Sequence, residues 1–263
     1  MIDKKEFLLQ YIIKAYIEHL EPIGSTQLKS MYDITYSPAT IRGYFKKLGE
    51  EGYLAQEHIS SGRTPTTEAL KQYWQSKLNL KLKGLNLRAL EYFASEIGLS
   101  VFIKKEKSDV LKNILNVENK YMILEFSSFA ISVKYSDALY RFLNDMIGLD
   151  LKDITKVSKD VGAYEVYESI NQTLQNSDFQ IFNYKEFLNL ALNYDFDEYT
   201  INSFLKGQIL DELKEGLYFD KFLPSNYIGI CNYCKINNED VKMLVIGELP
   251  KDYEYFYEKI TTF

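Results

Sequence analysis

The sequence predicts an α+β protein, and two groups of patterns support this class. Near the N-terminus, three segments with helical patterning precede a segment with the pattern of a β-hairpin, all within residues 3–66. Toward the C-terminus, two pairs of β-rich runs, in residues 121–135 and 226–249, each flank a short polar turn, and helical patterns surround both pairs. Helices grouped around antiparallel hairpins are typical of the α+β class. The 263 residues are enough for two domains.

The composition is that of an ordinary globular chain, with 46% hydrophobic and 26% charged residues. No run reaches the roughly 20 apolar residues that a membrane-spanning helix needs. The N-terminal segment MIDKKEFLLQ interrupts its apolar residues too early for a secretory signal. We therefore expect a cytoplasmic chain without a membrane span.

The charge is unevenly distributed along the chain. A net charge of −6 argues against binding of polyanions over the whole surface. Residues 1–75 carry nine basic and nine acidic side chains, so this segment is neutral and the remainder holds the entire deficit. The distribution allows a local basic face near the N-terminus.

The cysteines form a single C-x-x-C pair, Cys231 and Cys234, far in sequence from the two histidines, His19 and His58. Structural zinc requires four ligands. A redox pair of the thioredoxin type lies at a strand-to-helix turn, whereas YIGICNYCKI has the pattern of one continuous strand. We interpret both cysteines as half-buried strand residues and expect neither a metal nor another cofactor.

The first predicted helix, DKKEFLLQYIIKAYIEHL, is apolar on every side except a narrow stripe. Its polar residues Gln10, Lys14 and Glu18 recur every four positions. A helix of this kind is expected to be buried on more than one side. A second helix, STQLKSMY, is predicted to begin at Ser25, whose hydroxyl is expected to cap the free amides.

The third predicted helix begins at Ser37, a favourable N-cap, with Pro38 at the first helical position. Helical spacing divides its remaining residues into two faces. We interpret the apolar face as packed and the polar face as free to contact a partner, although a solvated surface helix with a tolerated glycine is the alternative. The apolar face holds Ile41, Phe45 and Leu48, and the polar face holds Ala39, Gly43, Lys46 and Glu50, flanked by Thr40, Arg42 and Lys47.

The segment after the third helix has the pattern of a hairpin, with YLAQEHI as a strand, SSGR as the tip and TPT as the return strand. A new helix, TEALKQYWQSKL, is predicted to follow. Three helices and a hairpin in this order are the arrangement of a winged helix-turn-helix domain. In such a domain the third helix enters the major groove of DNA, and the tip can place Arg63 against phosphate or in the minor groove. Hydroxyl groups for backbone contacts are offered by Ser60, Ser61, Thr64 and Thr66.

The segment EPIGSTQLKSMYDITYSPATIRGYFKKLGEEGYLAQEHISSGRTPT resembles the DNA-binding end of the HrcA family of heat-inducible transcription repressors. Four motifs in the same order and spacing carry the resemblance: PIGS at 22–25, SPATIR at 37–42, GYL at 52–54 and SGR-x-PT at 61–66. The resemblance implies a homodimer that binds an inverted-repeat DNA operator, called CIRCE, and represses chaperonin and other heat-shock operons. It also implies that a chaperonin assists folding of the active form.

The motifs and the helical register together nominate a set of DNA-binding residues. Gly43 departs from the family pattern, which commonly has asparagine directly after the arginine, and glycine cannot make a bidentate contact to a base. Arg42 has a structural alternative, which is to clamp an acidic residue within its own domain. The nominated residues are Ser25, Ser37, Thr40, Arg42, Gly43, Lys46 and Lys47 around the helices, and His58, Ser61, Gly62, Arg63 and Thr64 around the wing.

The rest of the chain resembles the family more faintly. Residues 85–118 are predicted to be mainly helical, and further helices are predicted in SDALYRFLNDMIGL, YEVYESINQTLQ and YTINSFLKGQILDELKEGL. The family has a GAF-like C-terminal domain interrupted by an inserted dimerisation segment. The resemblance therefore implies a winged-helix domain at 1–76, a linker at 77–84, and a GAF-like regulatory and dimerisation domain at 85–263. A reduced, helix-rich insertion is expected at about 138–220.

Three functions of different classes are compatible with these patterns. We favour a dimeric, sequence-specific repressor of heat-shock operons. The alternative is a metabolite-responsive winged-helix transcription regulator, in which a small ligand sets the affinity for DNA. An enzyme with an accessory DNA-binding domain is the least favoured, because we find no Ser-His-Asp or Cys-His arrangement and no phosphate-binding glycine loop. We therefore expect that the protein is not an enzyme.

Overall fold

The computed structural model describes residues 4–56, 58, 61–78, 82, 84–105, 109–175, 179–237 and 239–262. Its helices and sheets confirm the α+β class. Contacts divide the chain into two compact units, Met1–Ile103 with Gln180–Phe263, and Lys104–Phe179. The sequence-derived domain bounds at 1–76, 77–84 and 85–263 stay a prediction. Several positions of the predicted elements lie outside the described residues: Asp3 of the first helix, Glu57, Ile59 and Ser60 of the hairpin, four residues of the expected linker, and Asn238 in the turn of the second β-rich pair.

The N-terminal part of the first unit begins with three helices and a short hairpin. Ser37 Oγ accepts a hydrogen bond from Thr40 N at 3.1 Å, which confirms the predicted cap of the third helix. The expected cap at Ser25 is wrong: Gly24 is the N-cap, and Ser25 is already the first helical residue. The elements are α1 (Lys4–His19), α2 (Ser25–Tyr32), α3 (Pro38–Glu50), β1 (Leu54–Ala55), β2 (Thr64–Pro65) and α4 (Thr67–Lys77).

Helix α1 is buried on two sides, as its nearly continuous apolar surface predicts. Leu8, Ile12 and Ala15 join the core formed with α2 and α3, while Ile13 joins the core that contains α4. The second core continues into the C-terminal part of the unit. Trp74 in α4 donates its indole N–H to the carbonyl of Leu249 at 2.7 Å.

The chain after α4 contains both strands and helices. Two of the predicted helical segments contain α6 and α8, and the third is divided into α10 and α11 at Gly207, whose φ of 67° is left-handed. The elements are β3 (Gly84–Leu85), α5 (Leu87–Ile97), β4 (Ser100–Lys105), β5 (Leu111–Val117), β6 (Tyr121–Phe126), β7 (Ala130–Lys134), α6 (Asp137–Asn144), α7 (Leu151–Asp160), α8 (Tyr164–Gln175), β8 (Phe179–Phe182), α9 (Tyr184–Asn193), α10 (Glu198–Leu205), α11 (Ile209–Glu212), β9 (Gly216–Tyr218), β10 (Tyr227–Ile236), β11 (Glu239–Glu248), α12 (Tyr253–Ile260) and β12 (Thr261–Thr262).

A seven-stranded sheet forms the centre of the first unit, in the order β12-β3-β10-β11-β4-β8, with β9 also paired to β10. Strands β10 and β11 form an antiparallel hairpin from Tyr227↔Glu248 to Ile236↔Glu239, which confirms this predicted pair. One face of the sheet packs against α4, α5 and α12. Rings from β4, α9 and α10 pack together in an edge-to-face and tilted arrangement of Phe102, Phe187 and Phe204.

The two cysteines lie on the single strand β10, as predicted, and neither forms a disulfide. Three positions separate them, so Cys231 and Cys234 point to opposite faces of the sheet. Both are buried, rather than half-buried as expected. In the described part of the chain, no group of three or more His, Cys, Asp or Glu side chains could hold a metal ion.

The second unit contains an antiparallel sheet in the order β5-β6-β7 and the helices α6, α7 and α8. Side chains from one face of the sheet form a core with these helices. The core contains Met122 and Leu124 of β6 and Ile154 of α7. The predicted hairpin around Ser127 and Ser128 is confirmed as β6 and β7. Among the described residues, no helix has both the length and the apolar character to cross a membrane.

The prediction that residues 85–118 are mainly helical is wrong beyond α5, because this range also contains β4 and β5. Strand β5 has a register irregularity between Leu111 and Asn113. Because of this irregularity, the side chains of Leu111 and Ile114 both point into the same core, although residues three positions apart on a regular strand point to opposite faces. A spacing of three between buried residues is typical of a helix, which explains the error.

Candidate nucleic-acid interface

Helix α3 exposes one face along its length. Ile41, Phe45 and Leu48 are buried, and the residues on the opposite side are exposed, as the helical register predicts. A side chain at Gly43 would find open space, because a Cβ built there meets no atom within 4 Å. No local packing in the protein therefore requires glycine at this position. The exposed face consists of Ala39, Gly43, Lys46 and Glu50.

The cation nearest the centre of this face is Lys46. Its ammonium lies 3.8 Å from the carboxylate of Glu50, one helical turn later, and both side chains are largely exposed. An exposed pair of this kind contributes little to stability, so the lysine can exchange its partner at low cost. Lys46 is consequently accessible to an incoming anion.

Arg42 lies at one edge of the exposed face and connects α3 to α2. Its Nη1 donates to Ser25 Oγ at 3.3 Å. The partner is therefore a hydroxyl, and not the acidic residue considered from the sequence. Ser25 is buried at the start of α2, whereas Arg42 is exposed. This hydrogen bond directs the guanidinium toward the start of α2, two residues after Ile23.

The hairpin is held against the loop that precedes α2. Ile23 N donates to the Arg63 carbonyl and Arg63 N donates to the Ile23 carbonyl, both at 2.9 Å. Gly62 lies beside this bridge, and a Cβ built on it would come within 2.6 Å of the backbone of Pro22 and Ile23. Only glycine allows this approach of the two backbones. The side chain of Arg63 is partly exposed.

The tip of the hairpin is organised by its own polar groups. Ser61 Oγ donates to the His58 carbonyl at 2.7 Å and accepts from His58 N at 3.1 Å, while the His58 side chain is exposed. Thr64 is partly exposed in β2. Thr66 Oγ1 caps α4 and donates to the Gly52 carbonyl at 2.8 Å, so its hydroxyl stabilises the fold.

The nominated residues all lie in the first compact unit, and the structure joins only some of them by contacts. Arg42, Ser25 and the bridge between Ile23 and Arg63 connect α3 to the hairpin, and this connection involves residues from three separate sequence motifs. Lys4 is not among the nominated residues, yet its ammonium lies 5.6 Å from the centre of the Tyr36 ring next to the start of α3. Only tertiary structure brings these two residues together, so no local sequence signal could identify the contact.

Two cavities were considered as ligand sites. A cleft of about 90 Å³ in the first unit is lined by residues that include Glu186, Tyr227 and Glu248. Its volume is well below the roughly 300 Å³ at which pockets for metabolites begin. A larger, shallow groove of about 460 Å³ in the second unit runs beside β7 and α8, with Ser132 and Gln172 among its polar lining.

Comparisons with known proteins agree on one family. A family model described as the HrcA C-terminal domain matches residues 74–263. The heat-inducible transcription repressor HrcA of Helicobacter pylori strain J99 is 30% identical over 264 residues, covering 99% of this chain and 95% of the relative. The repressor HrcA of Chlorobium phaeobacteroides is 27% identical over 191 residues, covering 73% of this chain and 53% of the relative.

Among solved structures, the crystal structure of a hypothetical protein aligns with a TM-score of 0.50 and 18% identity. The alignment covers 98% of this chain and 96% of that chain. At this level of identity the similarity concerns the fold alone.

Proposed function

Because the chain belongs to the HrcA family of heat-inducible transcription repressors, we propose that it represses heat-shock operons as a dimer bound to an inverted-repeat operator of the CIRCE type. The family assignment confirms the prediction of a heat-shock transcription repressor that is not an enzyme. The operator, the dimer and the regulated chaperonin operons are parts of the proposal.

The N-terminal helices and hairpin act as a winged helix-turn-helix domain in this proposal. The support is the exposed face of α3, the hydrogen bond from Arg42 of α3 to Ser25 of α2, and the paired backbones of Ile23 and Arg63 that hold the hairpin against the loop before α2. Helix α3 enters the major groove, where Lys46 and Thr40 contact base edges. The hairpin is the wing, and Arg63 contacts phosphate or the minor groove beside it.

A homodimer is supported by the sheet of the second unit. The face of β5 and β6 that points away from the helical core exposes Leu115, Val117 and Tyr121, which are 42%, 40% and 51% exposed. Leu115 also lies opposite Ile123 across the strands. An apolar sheet face of this kind fits a symmetric contact with a second copy. A two-fold axis then matches two α3 helices to the two half-sites of an inverted repeat.

The C-terminal part of the chain is GAF-like in this proposal, and a chaperonin assists its folding in the cytoplasm. Resemblance to the family supports both points. The alternative of a metabolite-responsive regulator gains no support from the cleft near Tyr227, because the cleft is too small for most metabolites. The groove beside β7 and α8 is large enough, but it is shallow and open to solvent, whereas metabolite sites enclose most of their ligand.

The proposal is tested by binding of the purified protein to a labelled CIRCE-type duplex and to a scrambled duplex, at fixed salt and two temperatures. Preference for the operator is expected, and a reversible loss of that preference on warming identifies the protein itself as heat-responsive. Preference at both temperatures retains the repressor and assigns heat sensing to a partner. Equal affinity for both duplexes, from folded protein supplied with chaperonin, contradicts the proposed function.

A further inference from the structure

A second cationic surface lies beside α3, on the side away from Arg42. The Lys4 ammonium is 5.6 Å from the centre of the Tyr36 ring, and the Lys47 ammonium is 5.9 Å from the centre of the Tyr44 ring. The two rings are themselves 6.4 Å apart. We call this set the tyrosine-lysine flank, and it consists of Lys4, Tyr36, Tyr44 and Lys47.

The helical register separates this flank from the hairpin. At 3.6 residues per turn, Tyr44 points about 160° away from Arg42 around the axis of α3. Arg42 is directed to Ser25, two residues after Ile23, whose backbone pairs with Arg63 of the hairpin. Gly43 and Lys46, on the exposed face, lie between these two edges of the helix. Helix α3 therefore has cations on both sides of its exposed face.

The lysines of the flank differ in their ion pairs from the lysines next to them in sequence. Lys5 is paired with Glu51 at 2.7 Å, and Lys46 with Glu50 at 3.8 Å. Within the part of the chain that the structure describes, Lys4 and Lys47 have no such carboxylate partner, and both are exposed. The rings of the partly buried tyrosines lie beneath them. An ammonium attracted to the face of an aromatic ring is restricted in position before a partner arrives.

The geometry of DNA gives this flank a partner. The major groove is about 12 Å wide, and a helix with its side chains is about 10–12 Å across. A helix in the groove therefore has a phosphate backbone along each side. In the proposed function, Arg63 of the hairpin already contacts phosphate or the minor groove on one side of α3.

We propose that the tyrosine-lysine flank binds the phosphates of the opposite backbone, with Lys4 and Lys47 as the contacting cations and Tyr36 and Tyr44 as the residues that position them. This inference rests on the proposed function and extends it by assigning α1 to the DNA interface. Phosphate contacts fix the depth and direction of a helix in the groove without selecting bases. The flank therefore adds affinity for DNA of any sequence.

The test measures affinity for operator and scrambled duplexes over a salt series, for Lys4→Ala, Lys47→Ala and the double variant. Each single variant is expected to bind both duplexes roughly five- to tenfold more weakly at 0.1 M salt, because one phosphate contact contributes about 0.9 to the logarithmic salt slope. The double variant is expected to reduce the slope by about twice that amount. For all three variants, the ratio of the affinity for the operator to the affinity for the scrambled duplex is expected to equal that of the wild type.

Matched controls distinguish the loss of a lysine in the flank from the loss of any exposed lysine. Lys14→Ala removes an exposed lysine from the same helix, about 15 Å farther along its axis, and is expected to leave the slope unchanged. Tyr36→Phe keeps the ring and is expected to bind as the wild type does. Tyr36→Leu removes the ring and is expected to weaken binding to both duplexes by about two- to fivefold.

An unchanged salt slope in the double variant, with Arg63→Ala still lowering it, overturns the inference and leaves the proposed function in place. A double variant whose salt slope falls no further than that of Lys14→Ala overturns the inference as well. If the wild type itself shows no operator preference, the proposed function fails. The slope of the double variant on either duplex then still decides whether the flank binds phosphate.

Discussion

Ile23 and Arg63 exchange both of their backbone hydrogen bonds, each 2.9 Å long, although one precedes α2 and the other begins the return limb of the hairpin. This short pairing fixes the hairpin relative to α2, and Arg42 fixes α3 relative to α2 through Ser25. The position of Arg63 relative to α2 is therefore set by backbone contacts, and its side chain is partly exposed.

Gly62→Ala is expected to destabilise the protein by about 1–3 kcal/mol, because the added Cβ would lie 2.6 Å from the backbone of Pro22 and Ile23. Denaturant unfolding measures this change. Gly43→Ala is the matched control, since its Cβ meets no atom within 4 Å. It is expected to raise the free energy of unfolding by about 1 kcal/mol in an exposed helix. Equal effects of the two substitutions would contradict the close approach at Gly62.

Arg63→Ala is expected to weaken binding to operator and scrambled DNA alike and to reduce the salt slope by about 1, because it removes one phosphate contact. Lys46→Ala is expected to lower the preference for the operator as well, since this residue lies at the centre of the exposed face of α3. Fluorescence anisotropy over a salt series measures both quantities. Equal losses on both duplexes for both variants would count against base contacts by α3.

Leu115→Lys is expected to dissociate the proposed dimer, because it places a charge on the apolar face of β5 and β6. Sedimentation velocity at micromolar concentration measures the change, and loss of operator affinity is expected to accompany it. Leu192→Lys is the control, as this leucine is 74% exposed in α9 of the first unit. A dimer that persists in Leu115→Lys but dissociates in Leu192→Lys would place the interface elsewhere.

Asp109→Asn is expected to destabilise the second unit near neutral pH. Burial raises the pKa of Asp109, but hydrogen bonds from Ser128, Ser127 and Val110 outweigh burial and hold the pKa below its usual value. The stabilisation is therefore present above the unfolded pKa of about 3.9 and is lost as pH falls through the lowered folded pKa.

Unfolding curves between pH 2 and pH 7 test this dependence. The wild type is expected to lose more stability than Asp109→Asn on acidification, because the variant has no carboxylate to protonate at this position. Glu118→Gln, which changes an exposed carboxylate in the same unit, is expected to retain the acid dependence of the wild type. Parallel curves for wild type and Asp109→Asn would argue against this role.

The thiols of Cys231 and Cys234 are expected to resist alkylation in the folded protein at pH 8. Burial raises the pKa of Cys231 to about 11, against a smaller opposing effect of the nearby Lys242, and burial raises that of Cys234 to about 12. The reactive thiolate is therefore scarce. Mass spectrometry after iodoacetamide treatment is expected to show no adduct in buffer and two in guanidinium chloride. Rapid labelling of either thiol in buffer would contradict its burial.

A structural feature can be predicted from the sequence when the residues that determine it are close together along the chain. The start of α3 was predictable because Ser37 and Pro38 act within one helical turn. Strand β5 was missed because its irregularity after Leu111 gives buried residues a helical spacing. The contact between Lys4 and Tyr36 was not predictable, since it depends on how α1 packs beside α3. The nominated DNA contacts stay predictions until binding is measured.

The hydrogen bond from Trp74 to Leu249 joins residues 175 positions apart, and it lies within a single compact unit. On a ribosome that adds about 5–20 residues per second, α4 waits about 10–35 s for its partner to be synthesised. During this interval the indole and its apolar neighbours remain exposed to water. Long-range closure of this kind slows folding and favours aggregation of the nascent chain. The order of synthesis thus creates a period in which the nascent chain is prone to aggregation, before the repressor can bind DNA.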